Sequence, residues 1–361
     1  MRDTFLWFLC GSTDTASSRL QGYIIHKEFL KNGYRSYIVF SPNYYVRDFP
    51  SFQKLPFRIK LNNTISIIQK LKGKNTDKLI AWLRMCGSYI IYVNCDLEYE
   101  NESWKKADML FVTSKKLFDY HKSLNKDCRI FQIPEPYEYS YNPCFKKRDA
   151  LSNRVRVVWF GNEVNWDFLL PWKNIIEKNF SNDVELITCS NHSDATVGWS
   201  LSNQKEILKN SDICILPTGN SMAFSVKSPN RLIQAMAMGV PCITGPLDSY
   251  ISMQNKGFPL FVARNDDEFR FFLKKLFNDH VRRNVSVDSY NSVISEYSSR
   301  AVALSWLNIL KIRGSNLDCY SNFESMKNKL NRFIACSKMV GRQRDRLYRN
   351  LICIRSSFSK S

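Results

Sequence analysis

No two cysteines in this 361-residue chain are spaced C-x-x-C, although there are 11 of them. The number is odd, and Cys10, Cys95, Cys189, Cys214 and Cys242 lie within or at the ends of apolar, strand-like runs. Buried free thiols in a reducing compartment fit this better than a disulfide framework. The 4 histidines are scattered, so the clustered Cys and His of a zinc site are missing. No apolar run approaches the roughly 18–20 residues that cross a bilayer. The apolar run at 4–10 has only Arg2 before it and Gly-Ser-Thr-Asp at 11–14 behind it, which is no signal-peptide cleavage site; it reads as a buried first strand. Neither G-x-G-x-x-G nor G-x-x-x-x-G-K-[ST] occurs, which removes the dinucleotide fingerprint and the P-loop. Acidic residues are in short supply, 33 against 52 Lys and Arg, for a net charge of +19. That balance favours an anionic partner such as nucleic acid, a phosphorylated small molecule or an acidic membrane face, without choosing among them. A genome that uses Lys and Asn heavily accounts for part of it equally well.

What is present belongs to a globular protein: 44% hydrophobic and 24% charged residues. The length suits two domains with a core each. Short apolar runs alternate with helical patterns. Residues 4–10 read as strand, 17–32 as helix stopped by Gly33, and 37–40, 88–93, 109–113 and 129–133 as strands. The stretch 49–71 carries no clear period. Pro134, Pro136 and Pro143, followed by a polar, basic segment at 145–154, mark a domain boundary near 150. The alternation then restarts: strands at 156–160, 184–189, 212–217, 242–244 and 260–263, helices at 167–179, 204–209, 230–238 and 266–277. Two successive β-α series imply two parallel sheets, with ligands at the carboxyl ends of their strands. The expected division is 1–150, 151–290 and a helical, increasingly basic extension at 291–361.

The segment 226–245, VKSPNRLIQAMAMGVPCITG, carries the most chemistry. Ser228 stands near a helix start, with Pro229 suited to the first helical position. Free backbone N–H groups there attract an anion, and Lys227 and Arg231 add two positive charges. A diphosphate, with about two negative charges and many acceptor oxygens, is the natural ligand. A capped helix with two solvated basic residues is the plain alternative.

This segment resembles the donor-binding region of GT-B glycosyltransferases of the family-4-like group. There a strand ending in Leu-Pro precedes a helix that opens Lys-Ser-x-Asn-Arg and runs into Ala-Met-Ala-x-Gly-x-Pro. Here the counterparts are Leu216-Pro217, Lys227–Arg231 and 235–243. The resemblance implies two Rossmann-like domains facing a cleft. It also implies transfer of a sugar from a nucleotide-diphosphate sugar to a saccharide or lipid-linked acceptor. Lys227, Ser228, Asn230 and Arg231 would hold the donor phosphates, assisted by Gln234, Gly161 and Asn162. Trp199 would flank the base, unless it is a core residue. Two positions depart from the family: the E-x7-E glutamates fall on Val226 and Gln234. Near the N-terminus, Gly11, Ser12 and Arg19 resemble the loop that faces the acceptor, or form an ordinary strand-to-helix loop. Asp96, after an apolar strand, is placed to bind an acceptor hydroxyl.

The resemblance further implies retention of configuration and no metal or cofactor, in keeping with the absence of D-x-D. It places the protein in bacterial surface polysaccharide synthesis, in the cytoplasm or at the inner face of the membrane. The basic C-terminal region would touch acidic lipid there, unless it is simply solvated. No nucleic-acid-binding module supports a nucleic-acid partner. A nucleotide-sugar epimerase or phosphorylase on the same scaffold, and a degenerate scaffold that binds a partner transferase or the membrane, remain alternatives.

Overall fold

A computed structural model describes residues 4–50, 61, 63–97, 102–145 and 154–310. The described residues form two compact units, one from the residues up to 133 together with 302–310, the other from residues within 134–301.

The first unit holds a six-stranded parallel sheet in the order β2-β1-β3-β4-β5-β6. Its strands are β1 (Thr4–Leu9), β2 (Arg35–Phe40), β3 (Thr64–Gln69), β4 (Tyr89–Asn94), β5 (Met109–Val112) and β6 (Ile130–Gln132). Its helices are α1 (Ala16–Ser18), α2 (Ile24–Lys31), α3 (Lys74–Met85) and α4 (Lys115–Leu124), with a π-turn, Arg19–Tyr23, between the first two. β1 and β3 are buried at every position, as strands covered on both faces must be. That explains why β3 escapes the sequence pattern. Thr-Ile-Ser-Ile-Ile-Gln shows neither Gly nor Pro at its borders, and its ends are marked instead by Asn63 and Lys70, both with positive φ.

The second unit repeats the plan, in the order β12-β11-β10-β7-β8-β9. The strands are β7 (Val155–Phe160), β8 (Val184–Ser190), β9 (Val197–Gly198), β10 (Ile213–Leu216), β11 (Cys242–Thr244) and β12 (Phe261–Val262). The helices are α5 (Trp166–Asn179), α6 (Leu201–Lys209), α7 (Met222–Ser225), α8 (Asn230–Ala237), α9 (Asp248–Asn255), α10 (Asp266–Lys275) and α11 (Asp279–Ile294). One face of the sheet packs around Leu232, Met236 and Tyr250, the other around Trp159, Trp172 and Phe269. The parallel α/β plan expected from the sequence is therefore present twice.

Two boundaries differ from expectation. The chain divides at 133/134 rather than near 150, because the segment after Pro134 packs on the second unit: Tyr137 N donates to the Tyr297 carbonyl and Tyr141 N to that of Ala237. The region from 291 is not a separate body in its described part. Within α12 (Ser299–Leu310), Trp306 is buried against Trp7, Phe29 and Phe111 of the first core, its ring 4.8 Å from that of Phe111. The basic segment near 150 and the basic C-terminal region lie outside the described residues. Among the described residues, no helix is long and apolar enough to cross a membrane.

Candidate functional site

In each sheet the chain moves outward in one direction and then restarts on the other side of its first strand. The connections leave a crevice at the carboxyl ends of the two strands where the order reverses. In the second unit those strands are β7 and β10. β7 ends at Gly161, and α8, which follows the β10 strand, brings Arg231 to it. Arg231 Nη1 lies 3.3 Å from the Phe160 carbonyl oxygen and donates to it. The same nitrogen is 3.0 Å from the point a Cβ on Gly161 would occupy, and the Trp159 ring edge is also at 3.0 Å. A side chain at 161 would crowd both, so Arg231 or the Trp159 ring would have to give by a few tenths of an ångström, and glycine leaves room for this close approach. Arg231 also sits beside the buried Tyr250 phenol. Burial raises that phenol's pKa, and the guanidinium opposes the rise.

α8 begins without a side-chain cap. Pro229 occupies the cap position instead of the first helical turn, and it carries no N–H. The first intrahelical bond runs from Ile233 N to the Pro229 carbonyl. The amides of Asn230, Arg231 and Leu232 find no acceptor among the described residues. Asn230 Nδ2 is likewise buried without a partner, as are Thr244 Oγ1 at the end of β11 and Ser249 Oγ in α9. Orphaned polar atoms cost stability unless a ligand or water satisfies them. The helix start adds partial positive charge to that of Arg231 and the exposed Lys227. The chemistry on offer is binding of an anion rich in acceptor oxygens.

Other residues expected in this site have internal duties. Ser228 Oγ does not cap α8; it donates to Glu135 Oε2. The Gln234 amide is engaged at both ends: its Oε1 accepts from Glu138 N at 2.9 Å and its Nε2 donates to the Pro136 carbonyl at 3.2 Å. The buried Val226 is not replaced by any acidic neighbour in the motif. Asn162 caps the short turn Glu163–Asn165 through Val164 N at 3.1 Å. Trp199 donates its indole N–H to Gln204 Oε1 at 2.9 Å, and Gln204 in turn holds the Tyr139 hydroxyl. The structure thus brings Gly161, Asn230 and Arg231 together and binds Gln234 and Ser228 to the segment after Pro134.

In the first unit the reversal falls between β1 and β3. Gly11 lies against Thr15, whose Oγ1 would be 2.2 Å from a Cβ at 11. Ser12 Oγ accepts from Asp14 N at 3.2 Å, closing the loop on itself. Arg19 is buried, and its Nη1 donates to the Thr13 carbonyl at 2.6 Å. Asp96 forms an ion pair with Lys70. Burial pulls the Lys70 ammonium's pKa down, but Cys95 and Asp96 outweigh it and hold the pKa well above the usual value. Gln69 Oε1 accepts from Cys10 N at 3.2 Å and Ser18 Oγ at 3.3 Å, and its Nε2 donates to Gln21 at 3.3 Å. Burial lowers His121 to a pKa of about 4. Its Nε2 faces Asn94 Nδ2 at 3.2 Å, while its Nδ1 and the nearby strand-end Thr113 hydroxyl have no partner. Lys70, Ser249 and Glu135 carried no sequence signal, and Thr244, at the end of β11 within the 226–245 segment, was not singled out; only the fold gives these residues their neighbours.

No family model matches the chain, and no curated protein matches it in sequence. Solved structures do resemble it. The catalytic domain of starch synthase IV from Arabidopsis thaliana, bound to ADP and acarbose, superposes with a TM-score of 0.61 at 8% identity, over 86% of this chain and 99% of that one. WaaG, a glycosyltransferase involved in lipopolysaccharide biosynthesis, gives a TM-score of 0.54 at 10% identity, over 86% of this chain and 100% of its own. For TarM the values are 0.47 and 12%; 68% of this chain is covered, and the chain spans about half of TarM, 54%. The fold is the α/β architecture of two parallel six-stranded sheets seen in GT-B proteins such as WaaG and starch synthase.

Proposed function

We propose that the chain is a glycosyltransferase that takes a sugar from a nucleotide-diphosphate sugar, with the diphosphate at the start of α8. The observation that carries this reading is the conjunction at the β7/β10 crevice: Arg231 laid over Gly161, beside a helix whose first three amides and Asn230 Nδ2 are unpartnered. The starch synthase neighbour was solved with ADP, a nucleoside diphosphate. Fixed donors and a guanidinium stabilise negative charge that grows on a departing diphosphate, without reorganisation at the moment of reaction. Lys227 and Arg231 supply the formal charge. Asn162 and Trp199 line the donor side, and Gln234 supports it through the strap it holds. Gly11, Ser12, Arg19 and Asp96 belong to the acceptor side.

Within this reading the reaction retains configuration, uses neither metal nor cofactor, and serves bacterial surface polysaccharide synthesis. The acceptor is a saccharide or a lipid-linked saccharide, and the basic C-terminal region contacts acidic lipid at the inner membrane face. The test is a donor screen that measures released nucleoside diphosphate with mixed polysaccharide and lipid-linked acceptors. Release that depends on acceptor supports transfer; no release from any nucleotide sugar removes it.

One set of observations favours a second reading, a non-catalytic scaffold. Ser228, Gln234 and Asp96 are each engaged within the protein. On that reading nucleotide binds, or fails to bind, without turnover.

A further inference from the structure

An arginine drawn into a protein is usually met by a carboxylate. Arg282 of the second unit follows that rule and pairs with Asp212 and Asp279. The half-buried Arg231 does not. Among the described residues no carboxylate pairs with it, and both groups that hold its guanidinium are neutral. One is the Phe160 carbonyl at the end of β7, which accepts from Nη1 at 3.3 Å. The other is the Tyr250 hydroxyl, which accepts a hydrogen bond from the Arg231 side chain. Tyr250 is the third residue of α9, 1% exposed, in the core that also holds Leu232 and Met236 of α8. Phenylalanine would fill the same space. A hydroxyl buried there costs stability unless it is bonded. The other polarisable groups beside it are the thiols of Cys214 and Cys242, which are weak partners.

We propose that Tyr250 is a positioning residue of the α8 site: together with the Phe160 carbonyl it fixes the plane of the Arg231 guanidinium and leaves its charge whole for a diphosphate. The proposal rests on the nucleotide-sugar reading above and adds to it the group that aims the charge. One contact leaves the guanidinium free to turn about it; two contacts, from β7 and from α9, fix its orientation. A guanidinium carries more N–H donors than these two bonds use, so donors remain for phosphate oxygens. A carboxylate in the place of Tyr250 would orient the group equally well but would cancel the charge that the site needs. The rotamer freedom of a long side chain is thereby given up on folding rather than on binding, and the site is ready before the ligand arrives.

The experiment is a double-mutant cycle read by calorimetry with UDP and with ADP, on the full chain, Tyr250→Phe, Arg231→Met and the variant carrying both. Thermal melts confirm that each is folded. Tyr250→Phe should weaken binding of the preferred diphosphate about tenfold, as for loss of a hydrogen bond to a charged group. In the Arg231→Met background the same change should have no effect. A second readout needs no ligand: the Arg231 Nε–H signal in the nitrogen NMR spectrum, identified by its loss in Arg231→Met, should report a rigid group in the wild type and a mobile one in Tyr250→Phe. An equal loss of affinity in both backgrounds, no loss in either, or an Arg231 signal that stays rigid in Tyr250→Phe overturns the positioning role and leaves the diphosphate site standing. If the wild type binds neither UDP nor ADP, the nucleotide reading fails and this inference fails with it.

Discussion

The carboxyl edges of the two sheets are built on the same topology and finished in opposite ways. In the first unit the polar groups satisfy one another. Gln69 ties together Cys10, Ser18 and Gln21, Lys70 holds Asp96, and Arg19 holds its own loop. In the second unit the corresponding crevice keeps donors open at Asn230, Arg231, Leu232, Thr244 and Ser249. A closed network rigidifies a fold, whereas open buried donors wait for a ligand to complete them. The contrast is what favours the second unit as the seat of the proposed binding chemistry, with Thr113 and His121 as the unsatisfied exceptions in the first.

The largest effect should come from emptying the open edge of charge. Lys227→Ala with Arg231→Ala should lower kcat/KM by roughly 10^3-fold, with an unchanged far-UV spectrum; full activity in the double variant would move the site elsewhere. Acid probes the first unit, through His121 beside Asn94 at the carboxyl edge and His26 beside Ser36 near the amino end of β2. Burial, aided by Lys27, holds His26 at a pKa of about 4, and burial holds His121 at about 4, against 6.5 for a free histidine. Because the folded values are depressed, the unfolded chain binds more protons between pH 6.5 and 4. Stability is then full above 6.5 and falls as pH drops through that window, by roughly 2 kcal/mol per histidine. Urea unfolding at pH 7 and pH 4.5 measures this, and His121→Gln should remove about half of the difference, leaving the His26 share.

Smaller still is the direct comparison of one polar residue from each edge. Gln69→Leu strands three partners and should cost about 2–3 kcal/mol. Thr244→Val removes an orphan and should change stability by less than about 1 kcal/mol, toward greater stability, while weakening nucleotide binding. If Thr244→Val proved the more damaging of the two in the ligand-free protein, the distinction between closed and open edges would collapse.

The sequence made the second unit easier to read than the first. The second unit's apolar runs are short and bounded by Gly161, Pro217, Gly239 and Pro241, so β7, β10 and β11 stand out. β3 lacks such punctuation and sits in the middle of its sheet. At the candidate site, Arg231 and Gly161 are visible because a charge and a missing side chain are properties of single residues. The engagement of Gln234 and Ser228 is a property of pairs about 100 positions apart, since their partners lie at 135–138. Local pattern carries no record of such pairs. The boundary at 133/134 was displaced for the same reason: prolines announce a break, but hydrogen bonds to Tyr297 and Ala237 decide which side the segment joins.

The return of α12 to the first core also sets an order of events during synthesis. Phe5, Trp7 and Phe29 leave the ribosome early, but the indole that closes over them is Trp306. The opening portion must wait, with an aromatic surface uncovered, until the whole middle portion has been made. Such a late, long-range closure slows folding and lengthens exposure to aggregation, so the first unit's core is completed only after the second unit has been translated.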